Sequence, residues 1–190
     1  NAQRLEISFE EAEGYTLGSI HNQNGWEVTE GLDGIIANQL ISDEKAKDGL
    51  WSFKNSEEMA YDWQWFPIFG AALEFDIPMN YKDFSISYDV LVTETMGADF
   101  EFVAWTVQND EFVPVLGVGM QFQGEIYAIV DEDYAYETLE NVGWTPNTWV
   151  NIKVDVNETE ITYFINEEEV FSLDNYTQTD IYGFNMLQNN

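Results

Sequence analysis

Hydrophobic and polar residues alternate with a period of two along much of the chain. The clearest runs lie at 84–93, 150–157 and 161–165, and "AALEFDIP" at 71–78 follows the same pattern. Because successive side chains of a β-strand point to opposite faces, this alternation predicts half-buried antiparallel strands, each with one face toward water. The sequence "NETE" at 157–160, between two of these runs, predicts a hairpin turn.

Three further segments are apolar at almost every position: "DFEFVAWTVQ" at 99–108, "FVPVLGVGMQF" at 112–122 and "EIYAIV" at 125–130. Strands of this kind lie inside a sandwich, lie under a loop, or use one of their faces as a binding surface. Gly117 and Gly119 have the same parity and therefore share one face of their strand. We expect a flat patch there, which a ligand or another chain can approach closely.

Helical signal is scarce. The best candidate is "SDEKAKDG", in which Ser42 would be the N-cap and Gly49 would end one or two turns. The rest of the pattern predicts roughly eleven or twelve strands, without linkers or repeats. We therefore expect a single domain over residues 1–190 with an all-β fold, a two-sheet antiparallel β-sandwich of the jelly-roll type.

The charge of the chain excludes several classes of partner. Asp and Glu total 36 against 6 Lys and Arg, which gives a formal net charge of −30. Such a surface repels nucleic acid and anionic lipid and disfavours anionic polysaccharides, although it is also typical of adaptation to salty water. No apolar run approaches the roughly 20 residues of a membrane-spanning helix, so no membrane insertion is expected. The chain has no cysteine, which excludes disulfides and thiol catalysis.

The segment "MAYDWQWFPIFG" at 59–70 places several large rings close together. As a strand it would turn Tyr61, Trp63 and Trp65 to one face, where the rings would fill a layer of core. As a connecting loop with Pro67 it would present the same rings at the surface. Exposed rings beside hydrogen-bonding groups stack on the apolar face of a sugar, so these three residues are candidate ligand-binding residues.

Trp105 raises the same question. If Phe102 faces the core, Trp105 stands on the opposite surface of its strand. Gln121 and Gln123 share the parity of the two glycines, so we expect them to flank Trp105 across the strands. A tryptophan between two carboxamides, over a glycine floor, would suit a neutral sugar. The alternative is that all of these residues belong to a core covered on both sides.

The order of these features resembles the concanavalin A-like lectin/glucanase superfamily, in the laminin-G-like style of secreted bacterial proteins. The opening "ISFEEAEGYTLGSIHNQNGWEV" at 7–28 is similar to the first-strand pattern of such domains, and "DFSISYDVLVTE" at 83–94 is similar to their central strand. "GEIYAIVDED" at 124–133 and the segment 143–171 are similar to their late hairpins. The resemblance implies a jelly roll with one concave and one convex face, whose members often bind glycans on the concave face or its rim loops.

Catalysis is not favoured. Enzymes of this superfamily use three carboxylates in E-x-D-x-x-E or E-x-D-x-E, whereas the E-x-D of Glu74 and Asp76 here has no third carboxylate and fits the wet face of a strand. A lyase would need a His or Tyr base together with cations or amides, and the chain offers one histidine, His21, and one arginine, Arg4. A serine-type hydrolase would also depend on His21, which we expect in a turn or loop. We therefore predict that the protein is not an enzyme, and a glycoside hydrolase or polysaccharide lyase is the less favoured interpretation.

The resemblance also bears on metals, because laminin-G-like domains often hold one structural Ca²⁺. Acid-rich loops could supply its oxygen ligands, and Asp131 and Asp133 are weak candidates. No other cofactor is expected.

We predict a non-catalytic carbohydrate-binding or adhesion module of a secreted or cell-surface bacterial protein, part of a larger multidomain chain. Its partner would be a neutral polysaccharide or glycan, bound by aromatic stacking. The alternative is a structural or protein-interaction spacer domain that binds no glycan.

Overall fold

The computed structural model describes residues 4–58 and 65–189, and β-strands are its main element. Within these ranges the strands, in chain order, are β1 (Gly18–Ser19), β2 (Trp26–Val28), β3 (Glu30–Gly31), β4 (Gly34–Ile35), β5 (Leu40–Ser42), β6 (Ser52–Lys54), β7 (Phe69–Met79), β8 (Asp83–Val90), β9 (Phe100–Gln108), β10 (Glu111–Met120), β11 (Glu125–Ile129), β12 (Tyr136–Gly143), β13 (Val150–Asn157), β14 (Glu160–Ile165), β15 (Glu168–Asp174) and β16 (Ile181–Gln188). A single turn of 3-10 helix, Glu11–Glu13, precedes them. No helix in the described part of the chain has the length and apolar character needed to cross a membrane.

Two sheets form the body of the fold. The larger sheet has seven strands in the order β12-β11-β10-β9-β16-β7-β2, and the smaller has four in the order β15-β14-β13-β8. Their pairings are antiparallel throughout. Two minor sheets, β1-β5-β6 and β3-β4, complete the described structure. The predicted all-β, antiparallel two-sheet jelly roll is confirmed.

The period-two pattern predicted the strands of the smaller sheet correctly. In β13, buried and half-buried residues alternate along the strand until Asn157, at its end, which is exposed. The predicted turn closes a hairpin between β13 and β14. In this turn the side-chain Oδ1 of Asn157 accepts the backbone N–H groups of Thr159 and Glu160, both at 2.9 Å. These two hydrogen bonds stabilise the tight turn.

The hydrophobic core lies between the two sheets. Tyr88 of β8 stacks on Phe102 of β9 with ring centroids 4.4 Å apart, and Phe102 stacks in turn on Phe184 of β16 at 5.0 Å. Tyr163 of β14 is fully buried, and its hydroxyl accepts the backbone N–H of Gly117 at 3.3 Å. Each ring buried in this way stabilises the fold by roughly 1.5–3 kcal/mol.

The predicted helix at 42–49 is wrong. Ser42 ends strand β5, and the residues after it form bends. The Ser42 hydroxyl does accept the N–H of Glu44 at 3.2 Å, as an N-cap would, but no helix follows. Five of the eight residues in the segment are charged. A helix of one or two turns is too short to offset its nucleation cost without an apolar face to bury.

Candidate functional site

The larger sheet has a second face that turns away from the smaller sheet. On β9, Phe102 and Ala104 belong to the core, and Val103 and Trp105 alternate with them. Val103 and Trp105 are only 1% and 5% exposed, yet neither belongs to the core cluster. They therefore pack on the opposite side of the sheet, which we call the outer face.

The strand register defines the rest of this face. From β12 across to β7, its residues include Tyr136, Thr138, Tyr127, Ile129, Phe112, Pro114, Gly117, Gly119, Glu101, Val103, Trp105, Gly183, Asn185, Leu187, Ala72 and Glu74. Three neighbouring strands, β9, β10 and β11, come from the three segments that are apolar at almost every position. One side of these strands packs into the core, and the other side forms the outer face. Both sides carry apolar residues.

The two glycines of β10 lie on the outer face, but the flat patch expected there is filled. A Cβ atom at Gly119 would lie 1.9 Å from Cζ of Tyr127, and one at Gly117 would lie 2.4 Å from Cγ1 of Ile129. Side chains of β11 therefore lie over the glycines. The expectation that a ligand or another chain approaches the backbone at this point is wrong, because the protein's own side chains occupy the space.

A buried carboxyl lies at the centre of the outer face. The Tyr127 hydroxyl reaches across Gly119 and donates a hydrogen bond to Oε2 of Glu101 at 2.6 Å. Glu101 is 8% exposed. Burial raises its pKa to about 7, with a smaller contribution from the charge of Asp99, while the hydrogen bond from Tyr127 opposes the rise. Below that pH the carboxyl is neutral and carries a proton.

Trp105 occupies the predicted face but does not offer its ring to solvent. Its Nε1–H donates to Oδ1 of Asn185 at 3.0 Å, and the ring meets Phe112 edge-on at 4.7 Å. On the other side it lies against Gly183, where a Cβ would approach its Cζ2 to 2.6 Å. Trp105 thus supports its neighbours. None of the hydrogen bonds among the described residues uses Nδ2 of Asn185, so this amide keeps a donor for a ligand.

The exposed aromatic rings of the outer face are those of Phe112 and Tyr136, and not that of Trp105. Phe112 of β10 is 65% exposed, and Tyr136 of β12, which packs against Tyr127 at 5.1 Å, is 64% exposed. Sequence reasoning missed both residues. A usable signal exists for Phe112: Asn109 and Asp110 have positive φ, as a two-residue hairpin turn requires, and an Asn-Asp turn at this point gives the register that places Phe112 beside Trp105.

Gln121 and Gln123 do not flank Trp105. They lie in the turn after β10, where Nε2 of Gln121 donates to Oε1 of Gln123 at 3.3 Å. Trp105 pairs with Pro114 and Phe100 pairs with Met120, so the turn lies beyond five residues of β9, roughly 17 Å from Trp105. The expectation is wrong because parity gives the face of a strand and not the position along it.

The aromatic segment is described only in part. Tyr61 and Trp63 lie outside the described residues. Trp65 precedes β7 and is 76% exposed, and its backbone carbonyl accepts a hydrogen bond from the Asn189 side chain at 3.1 Å. Phe66 is 72% exposed, so residues 65–68 form a connecting loop with rings at the surface. A role for Tyr61, Trp63 and Trp65 in binding a glycan stays a prediction.

The acid-rich loop after β11 is organised by its own backbone. Oδ1 of Asp131 accepts the N–H groups of Asp133 and Ala135 at 2.9 and 3.0 Å, so one oxygen of this candidate ligand caps a turn. In residues 4–58 and 65–189, no group of three or more His, Asp or Glu side chains is placed to hold a metal ion. A structural Ca²⁺, with Asp131 and Asp133 as ligands, stays a prediction.

The acids and the histidine considered for catalysis lie apart from one another. Glu74 and Asp76 are exposed on β7, as predicted. Glu74 and Glu101 are separated by two strand spacings and about four residues, roughly 16 Å, whereas the carboxyl pair of a glycosidase is about 5–9.5 Å apart. His21 lies in a turn, where its Nδ1 accepts the N–H of Val28 at 3.1 Å.

No protein-family model matches the sequence, and no curated protein matches it. Solved structures do match the fold. A tetrameric galectin from the ball sponge Cinachyrella sp. gives a TM-score of 0.50 at 14% identity, over 63% of this chain and 87% of the galectin. A sialidase gives a TM-score of 0.57 at 6% identity over 87% of this chain, but the chain spans only 13% of the sialidase.

A carbohydrate-binding module from Bacillus subtilis, CBM66, matches 89% of this chain and 94% of its own at 10% identity, with a TM-score of 0.42. The galectin match is sufficient to define the fold. The chain shares the antiparallel jelly-roll fold of this galectin, which is the fold expected from the sequence features.

Proposed function

We propose that this chain is a non-catalytic carbohydrate-binding module of a secreted or cell-surface protein, and that a neutral glycan lies across the outer face. The chemistry of that face carries the proposal. Exposed rings of Phe112 on β10 and Tyr136 on β12 lie on one half of the face, and the Glu101 carboxyl of β9 and the Asn185 amide of β16 lie on the strands beside them. The likeness of the fold to a galectin supports the same function.

Each part of the outer face matches a part of a sugar. Aromatic rings stack on the apolar C–H face of a pyranose, and an amide gives directed hydrogen bonds to its hydroxyls. Phe112 and Tyr136 are two strand spacings and four or five residues apart, roughly 18 Å, which suits an oligosaccharide better than a single sugar. The net charge of −30 favours a neutral ligand over an anionic one.

An enzyme is the poorer explanation of the same face. Glu101 is the buried carboxyl there, and the exposed acid Glu74 on β7 is too far away to act with it on one glycosidic bond. A buried carboxyl that hydrogen-bonds a tyrosine can instead give or accept a hydrogen bond at a sugar hydroxyl. This supports a binding role.

The test is a glycan array of neutral polysaccharides and oligosaccharides, run with and without EDTA. We expect binding that the double variant Phe112→Ala/Tyr136→Ala weakens at least tenfold. The matched control is Leu50→Ala, because Leu50 is 74% exposed and lies outside the outer face. Binding lost on chelation would add Ca²⁺ to the site, and an array without any signal would contradict the proposal.

Protein recognition is the second candidate function. Trp65, Phe66 and Ile68 are 76%, 72% and 56% exposed within four residues, and exposed apolar groups of this size mark interaction surfaces. The variant Trp65→Ala separates the two functions. Loss of glycan binding in this variant would assign Trp65 to the glycan site, whereas unchanged glycan binding would leave the loop as a surface for a protein partner.

A further inference from the structure

The smaller sheet carries a groove on its outer side that the proposed function does not use. Its volume is about 640 Å³, within the range of small-ligand sites, and its lining includes Lys47, Asp89, Lys153, Phe164, Asn166 and Glu167. We propose that this groove is a second binding site, for a neutral, hydroxyl-rich ligand the size of one or two sugar rings.

The groove is built on rigid elements. Ser87, Lys153 and Phe164 are directly paired across β8, β13 and β14 and form one row of its floor. Asn166 and Glu167 form one end of the lining, in the tight turn between β14 and β15, where both have positive φ, 49° and 72°. Such a two-residue turn fits the twist of a hairpin and leaves little freedom. The floor and this end of the site are therefore formed before a ligand arrives, and Lys47 is added from the loop after β5.

The charge of the groove differs from that of the rest of the molecule. Lys47 and Lys153 are two of the 6 basic residues in the chain, and both line the groove. With Asp89 and Glu167 they give a formal charge of zero, in a chain of net charge −30. A neutral lining attracts neither sign of ligand, and the acidic surface around it repels an anion. The charge pattern therefore favours a neutral ligand.

Some polar groups of the groove are held by hydrogen bonds within the protein, and others have no partner among the described residues. Nδ2 of Asn151 donates to Oδ1 of Asp89 at 3.1 Å, and Oδ1 of Asn166 accepts the N–H of Asn151 at 2.9 Å. Among the described residues, Nδ2 of Asn166 takes part in no hydrogen bond and Lys47 in no ion pair. These groups leave donors for a ligand, beside carboxylates that accept.

An apolar surface completes the groove. The ammonium of Lys153 lies over the Phe164 ring, 5.1 Å from its centroid, and 3.4 Å from Oδ2 of Asp155. The part of the ring that Lys153 does not cover can contact the C–H face of a sugar, while hydroxyls, which both donate and accept, match the mixed polar rim. With the outer face of the larger sheet, the groove would let one domain bind two glycan segments on opposite sides and gain avidity on a polysaccharide.

The test is NMR titration of the uniformly ¹⁵N-labelled chain with four neutral probes, cellohexaose, xylohexaose, laminarihexaose and chitohexaose, and with one anionic probe, hexagalacturonate. We expect a neutral probe to shift the backbone amides of residues 151–153 and 164–167. The double variant Lys47→Ala/Lys153→Met should weaken that response at least tenfold. Lys45→Ala is the matched control, since Lys45 is an exposed lysine of the same loop outside the groove lining. Asn166→Gly, which keeps the left-handed turn, should weaken it as well.

The outcomes separate this inference from the proposed function. Shifts at the outer face of the larger sheet without any at the groove would overturn the second site alone. Shifts at the groove without any at that face would support the second site and contradict the proposed function. A groove that responds only to hexagalacturonate would overturn the assignment of a neutral ligand. No response to any probe would overturn both proposals.

Discussion

The two faces of the larger sheet are almost equally buried at their centre, but they differ in chemistry. On the core face, Leu116 and Ala104 are 0% exposed and have only apolar side chains. On the outer face, Val103 is 1% exposed but its surroundings include the carboxyl of Glu101 and the indole N–H of Trp105. Burial alone therefore does not mark the core of this protein, and at the centre of the sheet the two faces differ in the polar groups that Glu101 and Trp105 bring to the outer face.

The polar groups of the outer face are paired in a way that a face built only for stability would not need. Trp105 donates to Asn185, and Tyr127 donates to Glu101. A buried ionisable group is destabilising when it carries its charge, and an apolar residue of the same size would avoid that penalty. The core face holds the sheets together, and in the function proposed above the polar groups of the outer face are kept for a glycan.

The largest expected effect comes from the core face. Leu116→Ala removes a side chain that is 0% exposed, and the lost burial together with the cavity should lower the free energy of unfolding by about 2–5 kcal/mol. Urea unfolding followed by fluorescence measures this change. Glycan binding by the fraction that remains folded should be unchanged. A loss of affinity without loss of stability would contradict the division of roles between the faces.

The second prediction concerns the outer face and depends on pH. The ordinary pKa of a glutamate, 4.5, applies to Glu101 in the unfolded chain, and burial raises it to about 7 in the folded protein. As the pH rises from about 4.5 to about 7, the unfolded state loses its proton first, so the folded state is progressively destabilised. Glu101→Gln removes this effect. The variant should gain on the order of 3 kcal/mol relative to the parent between pH 4.5 and pH 7, and no more above that.

Urea unfolding of both proteins at pH values from 4 to 8 gives this difference directly. Tyr127→Phe is the matched variant, because it removes the hydroxyl whose hydrogen bond lowers the pKa of Glu101. In that variant the pKa of Glu101 in the folded protein should rise further. The pH range over which stability falls should therefore extend to higher pH. A difference between Glu101→Gln and the parent that does not change with pH would show that Glu101 is not buried in the way described.

The fold could be predicted from the sequence because its strands follow from local patterns of apolar and polar residues. Alternation gave the strands of the smaller sheet, and continuous apolar runs gave the three strands with two buried faces. It also placed Trp105 on the face opposite Phe102, since parity within one strand suffices for that. The charged segment after Ser42 has local cap signals for a helix but no apolar face to bury, and no helix forms there.

The candidate site depends on contacts between strands. The alternation within one strand does not predict these contacts, because they depend on the register. The pairing of Tyr127 with Glu101 needs the register of β9, β10 and β11, and the low exposure of Trp105 follows from Phe112 on a neighbouring strand. Gln121 shares the correct parity but lies in a turn at the far end of β10. Hairpin turns help to fix register, so the turn at Asn109 and Asp110 is a sequence signal for the position of Phe112 beside Trp105.

A smaller effect is expected where the outer face has no room. In Gly119→Ala the new methyl group would meet the Tyr127 ring, and moving that ring should lower the free energy of unfolding by about 1–3 kcal/mol and break the hydrogen bond to Glu101. Gly97→Ala is the control, because a Cβ there has nothing within 4 Å. Thermal unfolding of both variants measures the difference. Equal stability of the two would mean that the space over Gly119 is open, as the sequence alone suggested.

The smallest effect on stability should accompany the most specific effect on binding. Asn185→Asp keeps an oxygen to accept the Trp105 N–H but replaces the amide donor with an acceptor. We expect affinity for the neutral glycan to fall at least tenfold, which corresponds to about 1.4 kcal/mol, while the fluorescence maximum of the folded protein changes little. Asn80→Asp, in an exposed turn, controls for the added charge. If both variants lose affinity equally, the added charge and not the amide of Asn185 governs binding. That result would contradict the proposal that the glycan binds at the outer face.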